Sequence, residues 1–146
     1  LKLLISGDQV LPRISSNVSV FPTEPAADPL GDWMTSLARI KGEVPDDVLV
    51  LPAHNEPFRG LHARLDDLIH GHEVGLERLR RSLKEPRRAI DVFGALFARK
   101  IEGDQHLLSM ATGESLAHLN YLVARGEAAV EPDAQGVNWY RGVAAA

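Results

Sequence analysis

The sequence contains no cysteine, which excludes disulfide bonds and thiolate metal sites. A metal ion would therefore depend on histidine, aspartate or glutamate ligands. The sequence also contains no apolar run approaching the roughly 18 residues of a membrane-spanning helix, and no signal peptide is visible in it. We therefore expect no membrane partner, and a reducing cytoplasm is the expected compartment.

Basic side chains are outnumbered as well, since 16 lysines and arginines stand against 20 aspartates and glutamates, for a net charge of −4. Partners such as nucleic acid favour a basic surface, so this balance argues against them. The remaining composition is that of a globular protein: 146 residues, of which 45% are hydrophobic and 25% charged. That length suits one ordinary domain or two small ones.

The first 60 residues predict a strand, a helix and a second strand. Leu3–Ile5 is an apolar run that predicts a short buried strand. Asp28 and Pro29 predict a helix start, because aspartate caps free backbone amides and proline fits the first helical position. Val48–Leu51 is a continuous β-favouring run, typical of a strand buried on both faces. This is an α/β unit, and such sheets bind ligands beyond the carboxyl ends of their strands.

The remaining residues, 61–146, predict a long helix followed by an α+β module. A heptad-like apolar seam predicts a helix from about Leu61 to Lys84. Three short helices and two terminal strands are predicted after it, at 89–98, 105–111, 114–125, 128–130 and 137–140. A turn at Thr112–Gly113 would separate the second and third of these helices, an arrangement typical of a winged helix-turn-helix. We therefore predict two domains, 1–60 and 61–146.

Two polar residues follow the predicted strands of the first domain. Asp8 comes after Gly7 at the end of the first strand, and His54 comes shortly after the second strand. Both strands flank the same helix, so the two side chains are expected at the same rim of one sheet. A carboxylate and an imidazole that converge there suit a zinc, manganese or iron ion.

The stretches LLISGDQVLP (residues 3–12) and LVLPAHNEPFRGLH (residues 49–62) resemble the last two metal motifs of the metallo-β-lactamase-fold hydrolases. The resemblance implies that Asp8 bridges two metals and that His54 is the final histidine ligand. It implies that residues 1–60 are the C-terminal part of an αββα sandwich, and that residues 61–146 are the winged-helix extension that many members carry. The implied cofactor is a pair of divalent ions, zinc in the first place, with iron or manganese as alternatives.

The main metal cluster of that family, His-x-His-x-Asp-His, is absent, as is a further histidine before the Gly-Asp motif. His70 and His72 do not replace it, because side chains two residues apart on a helix point in different directions. We expect His72 to pack in the core and His70 to be solvated. Since the chain also starts in the middle of a strand, we expect the missing ligands upstream of Leu1, in an N-terminal half that completes the domain.

Four other side chains could in principle belong to a functional site. Arg59 and His62 follow His54 closely and are predicted as substrate-binding residues near the metals. His106 and His118 lie far along the chain and are expected at the surface. No catalytic side chain is predicted beyond the metal ligands.

The intact protein is expected to be a hydrolase of a small-molecule ester, thioester, amide or phosphoester, and this chain alone is expected to be inactive. The alternative is a non-enzymatic winged-helix binding or dimerisation module, with a homo-oligomer as one outcome. Nucleic acid is not the expected partner of that module, because the chain from Glu85 onward contains only six basic residues and eight acidic ones.

Overall fold

The structure is a computed structural model that describes residues 2–144. Leu1, at the start of the predicted first strand, and the alanines at 145 and 146 lie outside the described residues.

The strand–helix–strand prediction for the first 60 residues is confirmed. Strand β1 spans Leu3–Gly7, helix α1 spans Pro29–Glu43 and strand β2 spans Leu49–Pro52. The two strands pair in parallel. Asp28 caps α1 as expected, because its Oδ1 accepts a hydrogen bond from the Gly31 amide at 3.0 Å.

The expected burial of the first strand is wrong for one of its faces. Val50 of β2 is fully buried, but Leu3 is 41% exposed and Ile5 is 80% exposed. Both exposed residues point to the same side of β1, since alternate residues of a strand share a face. Among residues 2–144, that face of the strand is therefore partly covered at Leu3 and left largely open at Ile5.

Helix α2 spans Leu61–Ser82 and confirms the predicted long helix. Its apolar seam is buried at Leu65, Leu76 and Leu79, and the seam continues into Leu83 just past the helix end. Burial of this stripe, more than helix propensity, stabilises such a helix.

After α2 the chain forms a 3₁₀ helix at Ala89–Val92, helix α3 at Phe93–Leu96 and helix α4 at Gln105–Ala124. Strands β3 (Ala128–Pro132) and β4 (Asn138–Gly142) pair antiparallel and confirm the predicted terminal hairpin.

The predicted turn at Thr112–Gly113 is wrong, because both residues lie inside the continuous helix α4. Thr112 is accommodated there since its Oγ1 donates to the Leu108 carbonyl one turn earlier, at 2.7 Å. Gly113 serves close packing, because a Cβ at this position would lie 3.0 Å from the Ser19 Cβ. The winged-helix classification stays a prediction.

The described chain divides into two compact units. One consists of the residues up to Asn17 together with Asp32–Glu73, and it contains β1, β2, most of α1 and the first half of α2. The other consists of Val18–Gly31 and the chain from Val74 onward. The architecture is mixed α/β. The domain boundary near residue 60 stays a prediction.

None of the helices within residues 2–144 has the length and apolar character needed to cross a membrane.

Candidate metal centre

The ends of β1 and β2 meet at one edge of the sheet. Gly7 at the end of β1 has a φ of +54°, a conformation that glycine adopts without strain. Past the end of β2, the Ala53 amide donates a hydrogen bond to the Gly7 carbonyl at 2.9 Å. This bond joins the two strand exits one residue before Asp8 and one residue before His54.

Asp8 and His54 converge as predicted. The His54 Nε2 lies 3.2 Å from the Asp8 Oδ1, and the side chains are 65% and 67% exposed respectively. Ligand atoms that share a zinc ion each lie about 2 Å from it, so donor atoms roughly 3 to 4 Å apart fit one ion. Their role as ligands stays a prediction.

These two residues fit part of a metal site. A catalytic zinc site uses about three protein ligands and keeps one position open. Within residues 2–144 there is no group of three or more histidine, aspartate or glutamate side chains arranged to hold an ion. Asp8 and His54 could therefore supply two of the ligands of such a site, and the other ligands are not found among residues 2–144.

Arg59 and His62 are both hydrogen-bonded to the segment between α1 and β2. The Arg59 Nη1 donates to the Asp47 carbonyl at 2.9 Å, and the His62 ring Nε2 lies 2.7 Å from the Val44 carbonyl. The His62 amide also donates to the Asp46 carboxylate, at 2.7 Å. These contacts fasten the start of α2, and a substrate-binding role for either residue stays a prediction.

The expectations for three of the remaining histidines are confirmed. His72 is 7% exposed, whereas His70 and His106 are exposed. His72 and His70 thus separate by helix face, as the seam of α2 predicted.

The surface placement of His118 is wrong. It is 4% exposed on α4, and its Nδ1 lies 2.8 Å from the Glu114 carbonyl. The second half of α4 is buried nearly all round, and His118 is buried with it. Burial lowers the pKa of the His118 imidazole below its ordinary value, and the bond to the Glu114 carbonyl opposes this shift in part.

One surface feature had no counterpart among the sequence predictions. A depression of about 340 Å³ lies beside the terminal hairpin and is lined by seven residues: Pro86, Ala129, Glu131, Pro132, Asp133, Trp139 and Arg141. Trp139 is held there by a hydrogen bond from its Nε1 to the Asp133 carboxylate at 2.9 Å. The sequence signal that could have predicted this depression is that Glu131, Trp139 and Arg141 lie on one face of the hairpin, because alternate residues of a strand share a face.

Comparison with known proteins agrees with the motif resemblance. Residues 76–143 match the family model for the metallo-β-lactamase-like C-terminal domain. The crystal structure of a β-lactamase domain protein from Burkholderia ambifaria is similar to the chain with 43% identity and a TM-score of 0.92. A metallo-β-lactamase family protein from Thermus thermophilus is similar with 26% identity and a TM-score of 0.79.

Each alignment covers 97% of this chain and 42% of the solved one, so the chain spans less than half the length of these relatives. No curated protein matches the chain.

Proposed function

We propose that this chain, which belongs to the metallo-β-lactamase family, works as part of a metal-dependent hydrolase in which Asp8 and His54 are metal ligands. The remaining ligands would come from protein outside these 146 residues. The substrate would be a small-molecule ester, thioester, amide or phosphoester, and the compartment the cytoplasm.

The observation that carries this proposal is the 3.2 Å approach of the His54 Nε2 to the Asp8 Oδ1 at the joined strand ends. Within residues 2–144 neither side chain has another ion-pair partner. Both are open to solvent, so a cation can reach them without any rearrangement of the core.

The donor types suit the proposed role. The Asp8 carboxylate offers two oxygens, so it can contact two cations at once, and the neutral His54 ring offers the lone pair of one nitrogen. A divalent cation held there would lower the pKa of water and polarise the scissile group of a substrate. Two donors are too few for an open catalytic site, so the chain alone is expected to be inactive.

The exposed face of β1 supports a protein partner for the first unit. Leu3 and Ile5 form an apolar face on a sheet that has only two strands among the described residues. Such a face is costly to leave in water. We propose that the rest of the hydrolase domain covers it. A second copy of the chain is the alternative occupant.

The metal ligands can be tested by titrating zinc chloride into the chain while the His54 ring nitrogens are followed by NMR. Replacing Asp8 by asparagine keeps the shape of the side chain and removes its charge, and should weaken zinc binding at His54 by about tenfold or more. Asp67→Asn, an exposed aspartate of α2, is the matched control and should leave the dissociation constant unchanged. Equal zinc affinity in the wild type and in Asp8→Asn would contradict the proposal.

Nucleic-acid binding by the second unit is disfavoured by its ion pairs. Arg81 of α2 and Arg88 just after it are paired to Glu77 and Asp91 at 3.1 and 2.8 Å. On α4, Arg125 is paired to Asp28 at 2.9 Å. Together with the excess of acidic over basic residues from Glu85 onward, these pairs reduce the positive charge that the unit offers to phosphates.

We therefore expect negligible binding of duplex DNA at physiological salt, as measured by fluorescence anisotropy of a labelled duplex. Submicromolar affinity that falls steeply with added salt would instead favour the binding-module alternative.

A further inference from the structure

Two buried side chains donate hydrogen bonds to the backbone at Asp8 and at the residue after it. Ser16 is 8% exposed, and its hydroxyl donates to the Asp8 carbonyl. Trp33 is 7% exposed, and its Nε1 donates to the next carbonyl, that of Gln9, at 3.3 Å. Two consecutive carbonyls of the predicted ligand loop are thus satisfied by side chains from other parts of the same unit.

Trp33 is itself held by the buried histidine of α2. The ring centroids of Trp33 and His72 lie 5.0 Å apart with an interplanar angle of 75°, an edge-to-face contact. The His72 Nε2 lies 2.9 Å from the Ser15 hydroxyl. His72 thus contacts Trp33 and Ser15 in the first unit, and the metal motifs do not account for these contacts.

The segment that follows Gln9 is held by a separate set of hydrogen bonds. Arg64 of α2 donates to the Leu11 carbonyl at 2.7 Å and to the Ile14 carbonyl at 3.0 Å. Asp8 itself follows Gly7, whose missing side chain leaves the backbone more conformational freedom than any other residue would. The direction of Asp8 therefore depends on what holds residues 8 and 9.

We propose that Ser16 and Trp33 are positioning residues for Asp8, a proposal that rests on the function proposed above. Metal ligands have to be held within roughly 0.5 Å of their working geometry by supporting hydrogen bonds and packing. The two donors provide this support through the carbonyls of residues 8 and 9, whereas neither touches the Asp8 carboxylate. His72 supports the pair by keeping the Trp33 indole in place.

The test uses zinc chloride and the whole chain. Ser16→Ala should weaken zinc binding at His54 by about three- to tenfold, the size expected for one hydrogen bond. It should also speed hydrogen exchange of the Gln9 amide, which donates to the Ser6 carbonyl at 3.0 Å, by about tenfold without metal. Ser16→Thr keeps the hydroxyl and should restore both values, while Ser109→Ala on the exposed side of α4 should change neither.

The two proposals fail separately. Unchanged zinc affinity in Asp8→Asn would overturn the metal site, whereas the Gln9 exchange rate tests the positioning role without any metal. A Ser16→Ala variant that loses stability in urea but keeps the wild-type Gln9 exchange would show a merely structural role and overturn the inference. If Ser16→Ala does not fold, Trp33→Phe is the second variant, because it keeps an aromatic ring opposite His72 and removes the indole donor together with the second ring of the indole. It too should speed Gln9 exchange, and an unchanged rate would overturn the inference.

Discussion

Replacing Thr112 by proline is expected to lower the free energy of unfolding by about 3 kcal/mol or more. Residue 112 lies inside the 20-residue helix α4. A proline there removes a backbone donor, and its ring clashes with the carbonyl of Leu108 one turn earlier. It also drives Ala111, which is 3% exposed, away from the helical conformation.

The matched control is Gln105→Pro at the first residue of the same helix. Proline is favoured at that position because its amide would have no partner within the helix. The cap is made by Asp104, whose Oδ1 accepts from the His106 amide at 2.8 Å, so the cap survives the substitution. Gln105→Pro should therefore change the stability by no more than about 0.5 kcal/mol.

Urea denaturation followed by circular dichroism measures both variants. A cost below about 1 kcal/mol for Thr112→Pro would mean that α4 is interrupted in solution, and it would restore the helix-turn-helix prediction.

Stability is expected to fall as the pH drops from 6.5, because His118 is buried in its neutral form. Its pKa in the folded protein is lowered, chiefly by burial. The unfolded chain therefore takes up a proton before the folded protein does. The stability is complete above the ordinary value of 6.5 and is lost as the pH falls through 6.5 towards the folded pKa, by up to about 1.4 kcal/mol per pH unit.

Glu114 on the same helix acts in the opposite direction at lower pH. Burial raises the pKa of its carboxyl above the ordinary value of 4.5. The folded protein then binds this proton before the unfolded chain does, so stability rises as the pH falls through the folded pKa towards 4.5. The His118 loss should therefore be clearest just below pH 6.5, before the Glu114 carboxyl takes up its proton.

The measurement compares the free energy of unfolding at several pH values in the wild type, His118→Asn and His106→Asn. The asparagine amide nitrogen can take the place of the His118 Nδ1 opposite the Glu114 carbonyl, so the variant tests the titration more than the packing. His118→Asn should flatten the dependence, whereas His106→Asn, at an exposed position of α4, should not. NMR titration of the wild-type His118 ring provides a second readout, and a midpoint at or above 6.5 would contradict the prediction.

The predictions that the structure confirmed were based on local sequence patterns. Asp28 caps α1, the seam of α2 is buried, and the two terminal strands lie close to their predicted positions. The approach of Asp8 to His54 also followed from the sequence, because parallel strands that flank one helix end at the same edge of a sheet. Each of these inferences needs only local sequence patterns and a general rule of chain geometry.

Other features depended on contacts between segments that are distant in the chain. The Thr112–Gly113 pair is typical of a turn, but the hydroxyl of Thr112 and the close packing of Gly113 on Ser19 place both inside a helix. His118 is buried although its place far along the chain, away from the metal motifs, predicted a surface position, because burial of the second half of α4 does not show in the local pattern.

Apart from the continuity of α4, the sequence by itself therefore determined the order of the elements, the family resemblance and the identity of two candidate ligands, since all three depend on neighbouring residues and their spacing. Only the tertiary structure decided that Ser16 and Trp33 hold the carbonyls of residues 8 and 9, and that His72 packs against Trp33. The physical reason is that hydrogen bonds and ring contacts of this kind join residues 8 to 39 positions apart in the chain, as the numbers of these pairs show. No periodicity or motif records which of the many polar groups in a sequence will meet across such a separation.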